Sequence, residues 1–163
     1  MAERISAGIL LYRIAHDGRL EVLLAHPGGP FFKDRDHGDW TIPKGEPDGA
    51  HEPIEMVARR EFAEETGTPI DPTLPTIALG SIVQKGGKIV HAWAVEGDLD
   101  EAAAMSNTFE MEWPPRSGRR QAFPEIDRVG WFGPDEARQR VKASQIPLID
   151  RLEAALADEE AEA

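Results

Sequence analysis

Apolar and polar positions along the chain predict strands and helices in alternation. Residues 5–13 form a nearly continuous apolar run, which is typical of a strand that is buried on both faces. An Asp-Gly pair at residues 17–18 favours a hairpin turn, so a returning strand is expected over residues 20–25. The remaining pattern predicts strands at residues 76–84, 88–96 and 128–132, one helical turn at residues 99–104, and helices at residues 135–142 and from residue 147 onward.

The order of these elements indicates the α/β fold class. We predict an α/β/α sandwich, in which a mixed β-sheet carries helices on its faces. No internal repeat or linker divides the chain, so residues 1–157 are expected to form a single domain and the acidic residues 158–163 a disordered tail. An apolar stripe is expected to dock the last helix on the core: Leu148, Ile149, Leu152 and Leu156.

A further helix is predicted between Pro53, which suits a helix start, and Gly67, which suits a helix end. Three apolar side chains share one face of it: Ile54, Val57 and Ala58. At about 100° per residue, three glutamates continue the same face: Glu61, Glu64 and Glu65. A charged run is most often a solvated helix face, but a solvated face should lie opposite the apolar stripe.

Carboxylates in this arrangement are unfavourable without a partner. Like charges at i, i+3 and i+4 destabilise a helix, and negative charge near the C-terminal end opposes the helix dipole. Unpaired charge on an inward face is also costly. Hard divalent cations bound through oxygen would relieve these penalties, and Mg²⁺ is the usual ion where phosphates share the site. The helix therefore predicts a divalent-metal site.

The same stretch resembles the signature of the Nudix hydrolases, Gly-x5-Glu-x7-Arg-Glu-U-x-Glu-Glu-x-Gly-U, where U is a bulky apolar residue. The chain departs from it twice: six residues instead of five separate Gly45 from Glu52, and Thr68 fills the last, usually apolar, position. The extra residue is expected to bulge outward in the loop at residues 47–50 without changing the helix register. From Glu52 onward the spacing is reproduced by Arg60, Glu61, Glu64, Glu65 and Gly67.

This resemblance implies the Nudix fold and a pyrophosphohydrolase activity that requires Mg²⁺ or Mn²⁺. The substrate would be a nucleoside diphosphate linked to another moiety, and a metal-activated water would attack phosphorus. The Trp-x-x-Pro-Lys-Gly segment at residues 40–45 resembles family members that act on dinucleoside polyphosphates or nucleoside triphosphates.

Two alternatives on the same fold differ in class. A non-catalytic, nucleotide-binding regulatory module would not need the glutamate cluster. An isomerase on this fold is expected to use cysteine in catalysis, and the chain has none.

The resemblance also assigns roles residue by residue. The glutamates of the helix and Arg60 are expected to be catalytic, with Arg60 orienting a glutamate through a bidentate pair. Glu52, at the helix start, is interpreted as structural. An acidic residue from a distant loop often completes the site in the family, and Glu125 is chosen because it directly precedes the last strand; the competing candidates are Glu96, Glu110 and Glu112. The expected metal ligands are Glu61, Glu64, Glu65, the Gly45 backbone carbonyl and Glu125.

Substrate contacts are expected from two places. Lys44, beside Gly45, is the candidate for touching a substrate phosphate. Residues 105–124 form a long, polar, proline-containing segment, which we predict to be a substrate-facing lid; a solvated linker is the alternative. Guanidinium groups bind phosphate oxygens and an indole offers a stacking face. The lid candidates are Trp113, Arg116, Arg119 and Arg120.

Composition limits the possible partners. Thirty acidic against 18 basic residues give a net charge of −12, which argues against duplex nucleic acid, where phosphate contacts dominate affinity. The absence of cysteine excludes disulfides, thiolate catalysis and a cysteine zinc site. No apolar run spans a membrane and no signal-peptide core follows Met1, so a cytoplasmic location is expected. The expected partner is a small nucleotide or polyphosphate, and the oligomeric state is not determined by the sequence.

Overall fold

The computed structural model describes residues 4–49 and 51–162. Within this part of the chain, single-turn 3-10 helices occupy Glu101–Ala103 and Ala143–Gln145. The α-helices are α1 (Ile54–Thr66), α2 (Pro134–Arg140) and α3 (Ile146–Glu162). The strands are β1 (Ile5–Ile14), β2 (Leu20–Pro27), β3 (Lys44–Gly45), β4 (Thr76–Val83), β5 (Ile89–Glu96), β6 (Thr108–Glu112), β7 (Arg120–Pro124) and β8 (Ile126–Phe132).

The main sheet is mixed and has the order β4-β5-β1-β2-β8. Only the β1–β5 pair is parallel among these neighbours. β5 covers one edge of β1, so β2 and β3 both pair with the other edge of β1. There β2 pairs with residues 12–14 of β1, and β3 pairs with residues 7–8 of β1. The first half of β1 is therefore separated from β2 by β3, and this insertion brings Lys44 and Gly45 into the sheet.

Strand β1 is buried on both faces, as its apolar run predicts. Alternate side chains enter two separate cores, since successive residues of a strand point to opposite faces. One core joins Ile9 and Leu11 to α1, and the other joins Leu10 and Tyr12 to α3. Helices thus cover both faces of the sheet, and the predicted α/β/α sandwich is confirmed. The stripe of α3 supplies three fully buried side chains: Leu148, Ile149 and Leu152.

Helix α1 begins after Pro53 and ends before Gly67, which has the left-handed φ of 78°. A Cβ at Gly67 would also lie 2.9 Å from the Met105 carbonyl oxygen, so this position favours glycine for two reasons. The inward face differs slightly from the predicted one. Phe62 is fully buried, because its large apolar area is best removed from water. Glu64 lies at the edge of the buried face, and its side chain is 39% exposed.

Two segments differ from their sequence predictions. Residues 105–124 contain the β6–β7 hairpin instead of an irregular loop, with Phe109 paired opposite Phe123. Aromatic cross-strand pairs of this kind stabilise an isolated hairpin. Residues 158–162 continue α3 where a disordered tail is predicted, because alanine and glutamate are good helix formers and extend a helix that is already packed. Among the described residues, no helix is both long and apolar enough to cross a membrane.

Candidate active site

A polar cleft of about 460 Å³ lies between β3 and the C-terminal half of α1. Lys44 and Lys88 stand on its wall formed by the sheet. Among the described residues, six carboxylates line it: Glu46, Asp48, Glu61, Glu64, Glu65 and Glu125. The surplus of carboxylates is suited to binding divalent cations, and the two ammonium groups are suited to binding an anionic ligand beside them.

A larger cavity, of about 550 Å³, lies at the turn between β1 and β2. Three of its charged groups pair with each other, since Arg13 lies 2.9 Å from Glu21 and 2.8 Å from Asp98. The guanidinium also stacks on Trp131, 4.1 Å from the ring centroid. This cavity therefore does not gather carboxylates as the smaller cleft does.

Close packing fixes Gly45 against α1. A Cβ at this position would lie 2.1 Å from Cδ of Glu61, so any larger residue would displace the Glu61 carboxylate. Gly8, opposite Lys44 on β1, is constrained in the same way, because its Cβ would lie 2.6 Å from the Pro43 carbonyl oxygen. The extra residue of the 46–51 loop leaves this contact in place, and Glu61 and Glu65 face one cleft. Glu46, Asp48 and Gly49 are exposed, and Ala50 lies outside the described residues.

Glu65 is the most deeply placed carboxylate of the cleft. The residue is 8% exposed, and its Oε2 atom has no hydrogen-bond partner among the described residues. Burial, followed by the charge of Glu61, raises the pKa of Glu65 to about 8, although Lys44 opposes the shift. A buried oxygen without a partner is destabilising, so the position calls for a cation or a proton.

Arg60 of α1 connects several acidic side chains around the cleft. Its Nε and Nη2 donate to the two carboxylate oxygens of Glu52 at 2.8 and 3.0 Å. The predicted bidentate pair therefore forms with the structural Glu52 and not with a glutamate of the inward face. A single bond from Nη1 reaches Glu61 at 2.9 Å, and weaker ones reach Glu64 at 3.3 Å. Nη2 also donates to the Glu46 carbonyl at 3.0 Å, which ties the loop to α1.

The residues present fit a hard divalent cation. The orphaned Oε2 of Glu65 and the close approach of Gly45 to Glu61 supply carboxylate and carbonyl oxygens, the donors that Mg²⁺ and Mn²⁺ prefer. Within residues 4–49 and 51–162, no three acidic, histidine or cysteine side chains stand in a ready-made metal-binding group. The reason is that the carboxylates repel one another and that Arg60 pairs with Glu61 at 2.9 Å and with Glu64 at 3.3 Å.

Glu125 reaches the cleft from the turn between β7 and β8. Its N–H donates to the Asn107 carbonyl at 2.9 Å, and the Asn107 N–H donates to the Glu64 carbonyl at 2.8 Å. Burial raises the pKa of the Glu125 carboxyl. The competing candidates do not line this cleft: Glu96 ends β5 and lines the cavity at the β1–β2 turn, and Glu110 and Glu112 lie on β6.

Two lysines face the carboxylates. Burial, followed by the charges of Lys142 and Lys88, lowers the pKa of Lys44 to about 8. Lys88 precedes β5 and has a side chain that is only 20% exposed, with Nζ 3.8 Å from Glu46. Sequence reasoning missed Lys88, because only the parallel β1–β5 pairing brings it beside β3. No local motif marks it.

The four lid candidates lie outside the lining of the cleft. Trp113 packs edge-on against Phe31, with ring centroids 5.5 Å apart. The three arginines are exposed, and Arg120 lies 3.6 Å from Glu110 on the neighbouring strand. The β6–β7 hairpin pairs with itself and contributes none of its residues to the cleft lining. Contact between Arg116, Arg119 or Arg120 and a substrate stays a prediction.

The fold and the cleft together define an α/β/α domain that gathers carboxylates over the end of one helix. The chain belongs to the NUDIX domain family, whose model matches residues 2–152. The sequence has no significant match among curated proteins.

Solved structures with the same fold are distant in sequence. A Caenorhabditis elegans Ap4A hydrolase in a binary complex is 23% identical, with a TM-score of 0.65 over 94% of this chain and 98% of that one. The NUDIX domain of Shewanella oneidensis NrtR with ADP ribose is 19% identical, with a TM-score of 0.62 over 96% and 90%. NrtR with a 27mer DNA is 19% identical, with a TM-score of 0.59 over 95% of this chain and 63% of that longer one.

Proposed function

We propose that the protein is a pyrophosphohydrolase that uses Mg²⁺ or Mn²⁺ to cleave a phosphoanhydride bond in a nucleoside diphosphate linked to another moiety. The observation that carries this proposal is the buried Oε2 of Glu65, which has no partner among the described residues and lies in one cleft with Glu61 and Glu125. A cation held between these carboxylates would remove the penalty of burying them. Members of the family generally hydrolyse pyrophosphate bonds.

Five groups of this chain would hold the cation: the carboxylates of Glu61, Glu64, Glu65 and Glu125 and the carbonyl of Gly45. A bound divalent ion neutralises phosphate oxygens and lowers the pKa of a coordinated water. Arg60 keeps Glu61 oriented through its bond to one carboxylate oxygen, and Glu52 locks the guanidinium in turn. A carboxylate oxygen of the cleft that the cation does not engage would take the proton of the attacking water. The water oxygen then bonds to phosphorus as the bridging P–O bond breaks and the phosphorylated product leaves.

The lysine wall favours a substrate with several phosphates. Lys44 and Lys88 lie across the cleft from the α1 glutamates and would bind phosphate oxygens that the cation does not neutralise. Dinucleoside polyphosphates and nucleoside triphosphates supply such oxygens. The C. elegans Ap4A hydrolase shares this fold, and at 23% identity the likeness shows the fold alone.

The test is a panel of nucleotides incubated with Mg²⁺ and with the Glu65→Gln variant as a matched control. Products are identified by mass spectrometry. We expect one class of polyphosphate nucleotide to be cleaved and Glu65→Gln to lower kcat by roughly 100-fold or more, since positioned bases and metals contribute this much. Equal turnover by parent and variant, or no cleavage of any nucleotide, would refute the proposal.

The second candidate is a nucleotide-binding regulatory module without turnover. The NrtR structures, one with ADP ribose and one with DNA, show that this fold occurs in complexes of both kinds. Calorimetry with ADP ribose separates the two functions, because a module binds it and leaves it intact. The net charge of −12 and the six cleft carboxylates favour the enzyme.

A further inference from the structure

The ladder between β2 and β8 is irregular beside the cleft. Val22 to His26 pair one by one with Phe132 to Arg128, but Pro27 pairs with Ile126. Asp127 is therefore an extra residue on β8, which makes this position a β-bulge. A bulge bends its strand and redirects neighbouring side chains, and bulges are frequent beside active sites. Here it lies two residues after Glu125.

A buried histidine closes this bulge. His26 is fully buried, and its Nδ1 lies 2.8 Å from Oδ1 of Asp127. On the other side of the ring, Nε2–H donates to the Arg35 carbonyl at 2.6 Å. The ring also packs edge-on against Trp40, with centroids 5.1 Å apart. His26 thus joins the bulge to the loop that follows β2. Its ring is held by the contacts with Asp127, the Arg35 carbonyl and Trp40.

The backbone before the bulge is held equally closely. The Gly28 N–H donates to the Glu125 carbonyl at 2.8 Å, and the Glu125 N–H donates to Asn107 at 2.9 Å. A Cβ at Gly28 would lie 1.9 Å from the Pro124 carbonyl oxygen, so glycine is required for this approach. Both backbone groups of Glu125 are therefore engaged, and the bulge at Asp127 is the irregular position of the strand that follows.

We infer that Asp127 and His26 are positioning residues for Glu125. Their contact holds the bulge that points the Glu125 carboxylate into the cleft with Glu61 and Glu65. Neither residue lines that cleft. The inference rests on the proposed function to the extent that Glu125 binds the cation there.

The decisive experiment is a double-mutant cycle on Mn²⁺ affinity, measured with the full chain by electron paramagnetic resonance. Asp127→Ala is expected to weaken Mn²⁺ binding about tenfold or more, the usual effect of losing a residue that orients a ligand. Asp127→Asn keeps an oxygen toward His26 and should restore most of the affinity. In the Glu125→Gln background, Asp127→Ala should have no further effect, because there is no carboxylate left to position.

Asp17→Ala is the matched control. Its carboxylate pairs with Arg19 at 3.2 Å in the exposed turn between β1 and β2 and lies outside the cleft lining, so the variant should bind Mn²⁺ like the parent. His26→Gln is a second variant of the same contact and should show the same non-additivity, with thermal melting reporting whether each variant is folded. These variants therefore test the contact itself rather than surface charge in general.

The inference is overturned if Asp127→Ala leaves Mn²⁺ affinity unchanged or lowers it equally in both backgrounds. It is also overturned if Glu125→Gln alone has no effect on Mn²⁺ binding. A non-additive cycle in a protein that hydrolyses none of the nucleotides would refute the proposed function and leave this inference standing.

Discussion

At the scale of single residues, the burial of Glu65 has a consequence for stability. Its pKa is raised from 4.5 to about 8 in the folded state, first by burial. The folded protein therefore binds more protons than the unfolded chain between these values, and the free energy of unfolding falls as pH rises through this window. Each pKa unit corresponds to about 1.4 kcal/mol. Without metal, the carboxylate weakens the fold at neutral and alkaline pH.

We expect the metal-free Glu65→Gln variant to be more stable than the metal-free parent at about pH 8 and equal to it below about pH 4.5. Urea unfolding in the presence of a chelator, at several pH values, measures the difference. Glu64→Gln is the control, because its side chain is 39% exposed and its removal relieves little burial. A Glu65→Gln effect that is the same at every pH would contradict the assigned shift.

Lys88 carries the second prediction at this scale. Its ammonium makes no hydrogen bond within the described part of the chain, and its side chain is four-fifths buried at the cleft, with 20% exposure. Lys88→Met should raise KM for a polyphosphate nucleotide by about tenfold or more, the usual effect of losing a bond to a charged group. The kcat should change little, because the contact is made before and during reaction alike.

Lys85→Met is its matched control, since Lys85 is exposed in the β4–β5 turn and lies outside the cleft lining. Steady-state kinetics of both variants decide the matter. An unchanged KM for Lys88→Met would place the phosphate contacts on Lys44 and the cation alone. An equal rise for Lys85→Met would indicate a general electrostatic effect instead of a specific contact.

At the scale of elements, the site depends on β3 lying tightly against α1. Gly45→Ala would place a methyl group 2.1 Å from the Glu61 carboxyl carbon, so the carboxylate has to move. We expect Mn²⁺ affinity to fall about tenfold or more, with a smaller change in melting temperature. Gly49→Ala, in the same loop, meets open space and should bind Mn²⁺ like the parent. Equal affinity for parent and Gly45→Ala would mean that Glu61 does not bind the cation.

At the scale of the whole molecule, the cleft is assembled from distant parts of the chain. β3 supplies Gly45, α1 supplies the three glutamates, the turn before β5 supplies Lys88, and the turn before β8 supplies Glu125. The parallel β1–β5 pair and the insertion of β3 beside β1 bring the first three parts together. The short 105–107 segment links the last part to the end of α1 through backbone hydrogen bonds.

The sequence by itself determined most of the elements and the helix that carries the glutamates. Pro53 and Gly67 bound α1, and the spacing of the glutamates follows from a helical period that depends on neighbouring residues alone. The buried strand β1 and the two hairpins before and after α1 are likewise local signals in composition and turn chemistry.

Tertiary structure decided which groups share the cleft. Phe62, four residues after Ala58, is fully buried, whereas the Glu64 side chain keeps 39% exposure, because an apolar ring gains more from burial than a carboxylate does. The 105–124 segment forms a hairpin by pairing with itself, and its arginines stay outside the cleft lining. Lys88 and the bulge at Asp127 depend on strand register, which joins residues far apart in sequence. Pairing of this kind leaves no periodic mark in the chain, so only the folded molecule reveals it.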